Sequence, residues 1–113
     1  MKHLSNGDIE QLGLLVEMYG DVSFPTHLVD RIKEILFDMC RVIERRQPAD
    51  TAALYPITHA ATERINRLQD EFFDAESEIE TVARDSIAES FARIAAAYGF
   101  DADIEELVAT RDW

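Results

Sequence analysis

His59 and Glu63 are the first residues whose types and spacing suggest chemistry, because a histidine and a glutamate four apart on a helix can bind one metal ion. The expected core residues of the same helix are Ile57, Ala61 and Ile65. His59 and Glu63 lie far around the helix from that core face, on a polar stripe. Two ligands on an open surface leave most coordination positions to water. We therefore expect a solvated helix face here, and the sequence predicts neither a bound metal nor a cofactor.

Signals of catalysis are sparse elsewhere. Cys40 is the single cysteine, and its neighbours Met39 and Val42 indicate a small buried hydrophobic residue. The chain contains no Gly-x-Ser-x-Gly turn and no glycine-rich phosphate loop. We therefore favour a protein that is not an enzyme. The alternative is a small-molecule or metal-dependent activity on the polar face of the third and fourth predicted helices, where Asp85 joins His59 and Glu63.

A run of carboxylates between residues 70 and 80 is the most suggestive charged feature. No basic residue interrupts the run, which consists of Asp70, Glu71, Asp74, Glu76, Glu78 and Glu80. Such a run serves as a docking patch for a basic partner or as a loose divalent-cation site. The simpler interpretation, which we favour, is a loop between two helices with negative charge near a positive helix end.

Phe37 is the one large apolar residue on the polar side of the second predicted helix, between Lys33 and Arg41. An exposed aromatic side chain can anchor a partner. The alternative is that a loop or the terminal segment covers it, with Trp113 as a candidate. The fourth predicted helix presents a smooth face to either the C-terminal helix or a second subunit, formed by Ala88, Ala92 and Ala96.

Net charge restricts the partners. The chain has 23 acidic and 11 basic residues, a formal charge of -12. That surface repels nucleic-acid phosphates and anionic lipid headgroups and attracts basic proteins. We predict a protein partner with a basic surface, or self-association, with no nucleic acid and no membrane. An immunity-like protein that neutralises a basic toxin would fit. No signal peptide or membrane span is apparent, so the expected location is cytoplasmic.

Helices must position all of these residues, because glycine and proline are few and helix-forming residues are plentiful. We predict one all-α domain over residues 1–113, an antiparallel four-helix bundle with a short C-terminal helix. The first expected helix runs from about Asp8 to Tyr19, and the second, with Pro25 in its first turn, runs to about Arg46. The third is capped by Asp50 or Thr51 and runs through Pro56 to Phe72. The fourth begins at a Ser77–Glu80 capping box and runs to Tyr98. Gly99 is expected to end the fourth, and Asp101 or Asp103 to cap the last.

Several stretches together resemble one known family. They occur in a fixed order from about residue 17 to the end of the chain: Glu17–Tyr19, Phe24–Pro25, Leu28–Asp30, Thr58–Glu63, Ser77–Thr81, Ala97–Phe100, Asp103–Leu107 and Arg111–Trp113. The chain is similar to an uncharacterised bacterial domain-of-unknown-function family, number 5713. The resemblance implies a small, stand-alone bacterial protein. It implies no activity, cofactor or functional residue.

Overall fold

A computed structural model of the chain describes residues 6–113, and these residues are helical, without strands. A 3₁₀ turn, Ile9–Gln11, precedes six α-helices: α1 Val16–Tyr19, α2 Thr26–Arg46, α3 Thr51–Asn66, α4 Gln69–Asp74, α5 Thr81–Ala97 and α6 Ile104–Leu107. The all-α prediction is confirmed for the described part of the chain. Only α2, α3 and α5 are long, and the antiparallel four-helix arrangement stays a prediction.

The first predicted helix is wrong, because the chain between residues 12 and 15 is not helical. Gly13 has a φ of 67° and Leu15 a φ of 61°, both in the left-handed region that a right-handed helix does not contain. The Leu15 side chain is nevertheless only 1% exposed, and its backbone N–H donates to Ser90 Oγ at 3.2 Å. The apolar pattern therefore predicted burial correctly but mistook an irregular segment for a helix.

Helix α2 has the expected length and core face. Pro25 is its N-cap residue, with ψ at 129°, so it precedes the first turn in which the sequence placed it. Gln47 ends the helix with a φ of 48° and donates its N–H to the Ile43 carbonyl at 2.8 Å. The inward side chains recur at three- and four-residue intervals and are Leu28, Val29, Ile32, Ile35, Leu36, Met39, Cys40 and Ile43.

The third predicted helix is interrupted. Its start is as expected, because the Asp50 side chain accepts a hydrogen bond from the Ala53 N–H at 2.9 Å, and Pro56 is accommodated inside the helix. Helix α3 ends at Asn66, however, and α4 begins at Gln69. Phe72, which the sequence placed on α3, lies on α4 and is fully buried. A two-residue break thus preserves the burial pattern.

The predicted capping box does not form. Helix α5 begins at Thr81, and its N-cap residue Glu80 makes no side-chain capping bond. Ser77 Oγ donates instead to the Ser23 carbonyl at 2.6 Å. At the other end, Gly99 has a φ of 86°, which confirms the predicted stop. The Phe100 N–H completes this C-terminal motif by donating to the Ala95 carbonyl at 2.9 Å.

One hydrophobic core connects these helices. Helix α2 packs against α3, and α5 packs against α1 and α6. Helix α6, capped by Asp103 as expected, also contacts α3. Ala88 on the smooth face of α5 is buried and lines a cleft together with Ile104 of α6, so the C-terminal helix occupies part of that face. Among residues 6–113, none of the helices has the length and apolar character to cross a membrane.

Candidate functional site

His59 contacts the C-terminal segment instead of facing open water. Its Nε2–H donates to the Glu106 carbonyl oxygen at 2.6 Å, and since a carbonyl only accepts, the proton must lie on Nε2. The imidazole also stacks against Tyr55, with ring centroids 6.1 Å apart. The helix face is therefore only partly solvated at His59. The physical reason is that the sequence could not show where the chain returns after α5.

Asn66 continues this contact two turns further along the helix. Its amide Nδ2 donates to the Thr110 carbonyl at 3.0 Å, and its Oδ1 accepts from the Asp112 N–H at 3.1 Å. Glu63, on the same stripe, is exposed. The polar stripe of α3 thus binds main-chain atoms of residues 106–112. Within residues 6–113, no group of three or more His, Cys, Asp or Glu side chains is placed to hold a metal ion.

Asp85 lies apart from this stripe, on the exposed side of α5. It lines a cleft of about 320 Å³ with Arg84, Glu105 and Arg111, and neither His59 nor Glu63 lines that cleft. The three residues named for a possible activity do not therefore form one constellation.

Cys40 is fully buried, as its apolar neighbours predicted. Burial raises the pKa of its thiol to about 12. A hydrogen bond with Tyr98 opposes this rise, and the smaller effects of the Glu44 and Arg41 charges raise and lower the pKa respectively. At neutral pH the thiol is therefore protonated. Because the thiolate is the nucleophilic form, Cys40 is chemically inert in the folded protein.

Phe37 is partly buried against the core, on the outer side of α2. The Lys33 ammonium lies 5.7 Å from the centroid of the Phe37 ring and 5.7 Å from that of Tyr19, within cation–π range of both. Trp113, the suggested cover, is buried in the core, with the Arg111 guanidinium 5.5 Å from its ring centroid. Every residue lining the shallow depression at Phe37 comes from α2.

Two loops meet at the start of α5 and form an acidic depression. The hydrogen bond from Ser77 Oγ to the Ser23 carbonyl joins the loop before α2 to the loop before α5. The depression has a volume of about 520 Å³ and is lined by Asp21, Ser23, Phe24, Glu76, Ser77, Glu78, Glu80 and Val82. We call this set of residues the acidic groove. It is the arrangement in which the carboxylate run of the sequence could act.

Asp21 is the groove carboxylate that the sequence did not predict. It lies about fifty residues before the carboxylate run, and only the contact between the two loops brings it there. Conversely, Asp70 is exposed on α4 and does not line the groove, and Glu71 pairs with Arg31 at 2.7 Å. The first half of the run is therefore separate from the second.

The carboxylates of the groove have no basic counterpart in the described part of the chain. The ion pairs found there use the carboxylates of Asp38, Glu71, Glu89 and Glu105. Asp21 accepts only a local hydrogen bond, from the Ser23 N–H at 2.8 Å. Four negative charges thus face solvent without a cation to balance them, which makes the groove an attractive surface for positive groups.

Exposed apolar side chains accompany these charges. Val82, inside the groove, is 42% exposed, and Phe73, on the helix that leads into the second loop, is 65% exposed. Val22, between two groove residues in sequence, is fully exposed. Of these three residues, only Val82 lines the groove. The groove therefore offers electrostatic attraction together with a small exposed apolar area.

Comparison with known families assigns the chain to a family but does not indicate an activity. A family model matches residues 8–113, nearly the whole described part. The chain belongs to the DUF5713 family. The resemblance noted in the sequence is thereby confirmed, and the function of this family is unknown. Neither the curated proteins nor the solved structures contain a match to the chain.

Proposed function

We propose that this member of the DUF5713 family is a non-enzymatic binding protein that docks a basic surface of another protein in the acidic groove. The observation that carries the proposal is the set of four unpaired carboxylates, Asp21, Glu76, Glu78 and Glu80, placed around the exposed Val82. Lysine and arginine side chains of a partner would pair with the carboxylates. Their aliphatic stems would cover the valine.

The charge of the surrounding chain supports this proposal. Residues 68–113 contain thirteen acidic and three basic residues. A surface of that sign accelerates the approach of a positively charged protein and weakens as salt screens it. The exposed apolar residues would supply affinity that salt does not remove. Neutralisation of a basic toxin, the immunity-like role, is one setting in which this chemistry would be useful.

The alternative, an activity on the polar face of α3 and α5, has no specific observation in its favour. His59 is engaged by the Glu106 carbonyl, and Asp85 lines a different cleft. The acidic groove is therefore the better-supported site.

Affinity capture with two triple variants tests the proposal. One variant neutralises the groove (Glu76→Gln, Glu78→Gln, Glu80→Gln), and the matched control neutralises three exposed carboxylates elsewhere (Glu10→Gln, Glu63→Gln, Asp70→Asn). Both reduce the net negative charge by three. Proteins captured from the native cytoplasm are identified, and each is purified for affinity measurement at low and moderate salt.

We expect the partner to bind the wild type and the control similarly and to bind the groove variant at least about tenfold more weakly, since each lost ion pair weakens binding by a small factor and three act together. Equal affinity for all three proteins would contradict the proposal. A partner whose binding does not change with salt would contradict its electrostatic part.

A further inference from the structure

We infer that the cleft between α2 and α3 is a second binding site, for a small molecule that carries a phosphate or carboxylate group. Three arginines line it: Arg31 from α2, and Arg64 and Arg67 from the end of α3. The cleft has a volume of about 360 Å³. That volume is at the lower end of the range of ligand pockets, roughly 300–1,000 Å³.

The arginines come together because of helix geometry. Arg64 and Arg67 are three residues apart, a spacing that places both on one side of the end of α3. Helix α2 packs against α3 and brings Arg31 to the same cleft. Ile35 and Leu68, both nearly fully buried, form an apolar floor beneath the charged groups. The cleft thus combines a cationic rim with an apolar base.

Two of the guanidinium groups are held in place by carboxylates. Arg31 Nη1 donates to Glu71 Oε1 at 2.7 Å, and Arg64 Nη1 donates to an oxygen of Asp38 at 3.1 Å. Each contact uses one nitrogen of a planar group that carries five N–H donors, so donors remain for a ligand.

Arg67 is the arginine of the cleft whose charge no carboxylate neutralises through an ion pair within residues 6–113. It is exposed, and none of the ion pairs within residues 6–113 involves it. The three arginines are matched in number by Glu34, Glu71 and Asp38, so the attraction for an anion comes from Arg67 and from the N–H donors that Arg31 and Arg64 have left. Glu34 would accept a hydrogen bond from a donor elsewhere on the ligand.

The negative net charge of the protein does not prevent such binding. Residues 26–67 contain seven basic and six acidic residues, so this part of the chain is almost neutral. The molecule is 41 Å in its longest dimension, whereas charges are screened over about 8 Å at physiological salt. Carboxylates on distant parts of the surface contribute little to the potential in the cleft.

A nuclear magnetic resonance titration tests the inference on the full chain. Sodium phosphate and sodium succinate are added separately to ¹⁵N-labelled protein, with sodium chloride used to hold the ionic strength constant. We expect saturable shifts in the amides of residues 31–35 and 64–71. Saturation with phosphate alone would identify a phosphate site, and saturation with succinate alone a carboxylate site.

Two arginine variants provide the comparison. Arg67→Gln should weaken binding by about tenfold or more, because a hydrogen bond to a charged group is lost. Arg45→Gln, an exposed arginine of α2 outside the cleft, should bind as the wild type does. Arg67→Lys keeps the charge without the planar fork and should fall between them.

The inference fails if neither anion gives saturable shifts, or if Arg45→Gln and Arg67→Gln weaken binding equally. It does not depend on the acidic groove. The groove triple variant should therefore titrate with the anion as the wild type does, whatever its effect on the protein partner.

Discussion

The α2–α3 pair and the part of the chain that follows it share one core but present different surfaces. Residues 26–67 hold seven basic and six acidic residues, whereas residues 68–113 hold three and thirteen. The net charge of -12 is therefore not spread evenly along the chain. A basic partner inferred from the net charge is therefore expected to bind the surface formed by residues 68–113, and not the surface of the α2–α3 pair.

The two regions are also held together differently. Helix α2 is anchored by a continuous apolar face. The acidic region depends more on single hydrogen bonds between distant segments, such as Ser77 to Ser23 and Leu15 to Ser90. The loops beside α5 thus depend on individual hydrogen bonds, whereas α2 is held by its apolar face.

The largest expected effect concerns Cys40 on the buried face of α2. Burial raises the Cys40 pKa from 9.0 to about 12, so at pH 8 the folded protein should hold about a thousandfold less thiolate than the unfolded chain. Labelling by a thiol reagent in buffer and in urea measures this, with Cys40→Ser as the blank. Rapid labelling of the folded protein would show that the interior is open.

The same pKa shift has a consequence for stability. Because the unfolded thiol ionises near pH 9 and the folded thiol near pH 12, the contribution of Cys40 to stability is present below pH 9 and is lost as the pH rises toward 12. The Cys40→Ser variant should lack this component of the pH dependence.

Ser90→Ala tests how strongly the fold depends on one hydrogen bond between distant segments, from the Leu15 N–H to Ser90 Oγ on α5. It leaves the buried N–H of Leu15, whose backbone is already strained, without its acceptor, and should reduce the free energy of unfolding by about 1–3 kcal/mol. The matched control in the α2–α3 pair is Thr58→Val, because the Thr58 hydroxyl bonds only to the Tyr55 carbonyl of its own helix. Urea unfolding of both variants gives the comparison, and equal losses would contradict it.

Glu76→Gly should separate stability from binding in the acidic groove. Glu76 has a φ of 59°, where glycine is unstrained, so the change should stabilise the fold by about 0.5–1 kcal/mol. It should also weaken binding of the basic partner by about two- to threefold, because one carboxylate is lost. Glu78→Gln loses the same charge at an ordinary φ and should weaken binding without the gain in stability. If Glu76→Gly strengthens binding, the groove is not the docking surface.

Local signals in the sequence predicted the parts of the fold that local forces determine. The apolar periodicity located α2, Asp50 and Asp103 cap the helices that follow them, and Gly99 adopts the left-handed backbone expected of it. Each of these features depends on a few neighbouring residues. The helical class followed from the same information.

The errors arose where a distant contact replaced a local one. Leu15 has a left-handed backbone and donates its N–H to Ser90 Oγ, instead of continuing a helix. Ser77 Oγ donates to the Ser23 carbonyl instead of capping α5. The carboxylate run was visible in the sequence, but its division at α4 and the addition of Asp21 were not. Contacts across fifty or more residues are not encoded in spacing. The protein partner, its basic surface and the cytoplasmic location stay predictions.

The contact between α3 and the C-terminal segment determines which substitutions this segment should accept. His59, Thr62 and Asn66 bind the main-chain atoms of residues 106, 107, 110 and 112, and a main chain is common to nearly every amino acid. Substitutions of the outward side chains of this segment should therefore leave these hydrogen bonds intact. Proline at position 112 is the exception, because it has no N–H to donate to Asn66.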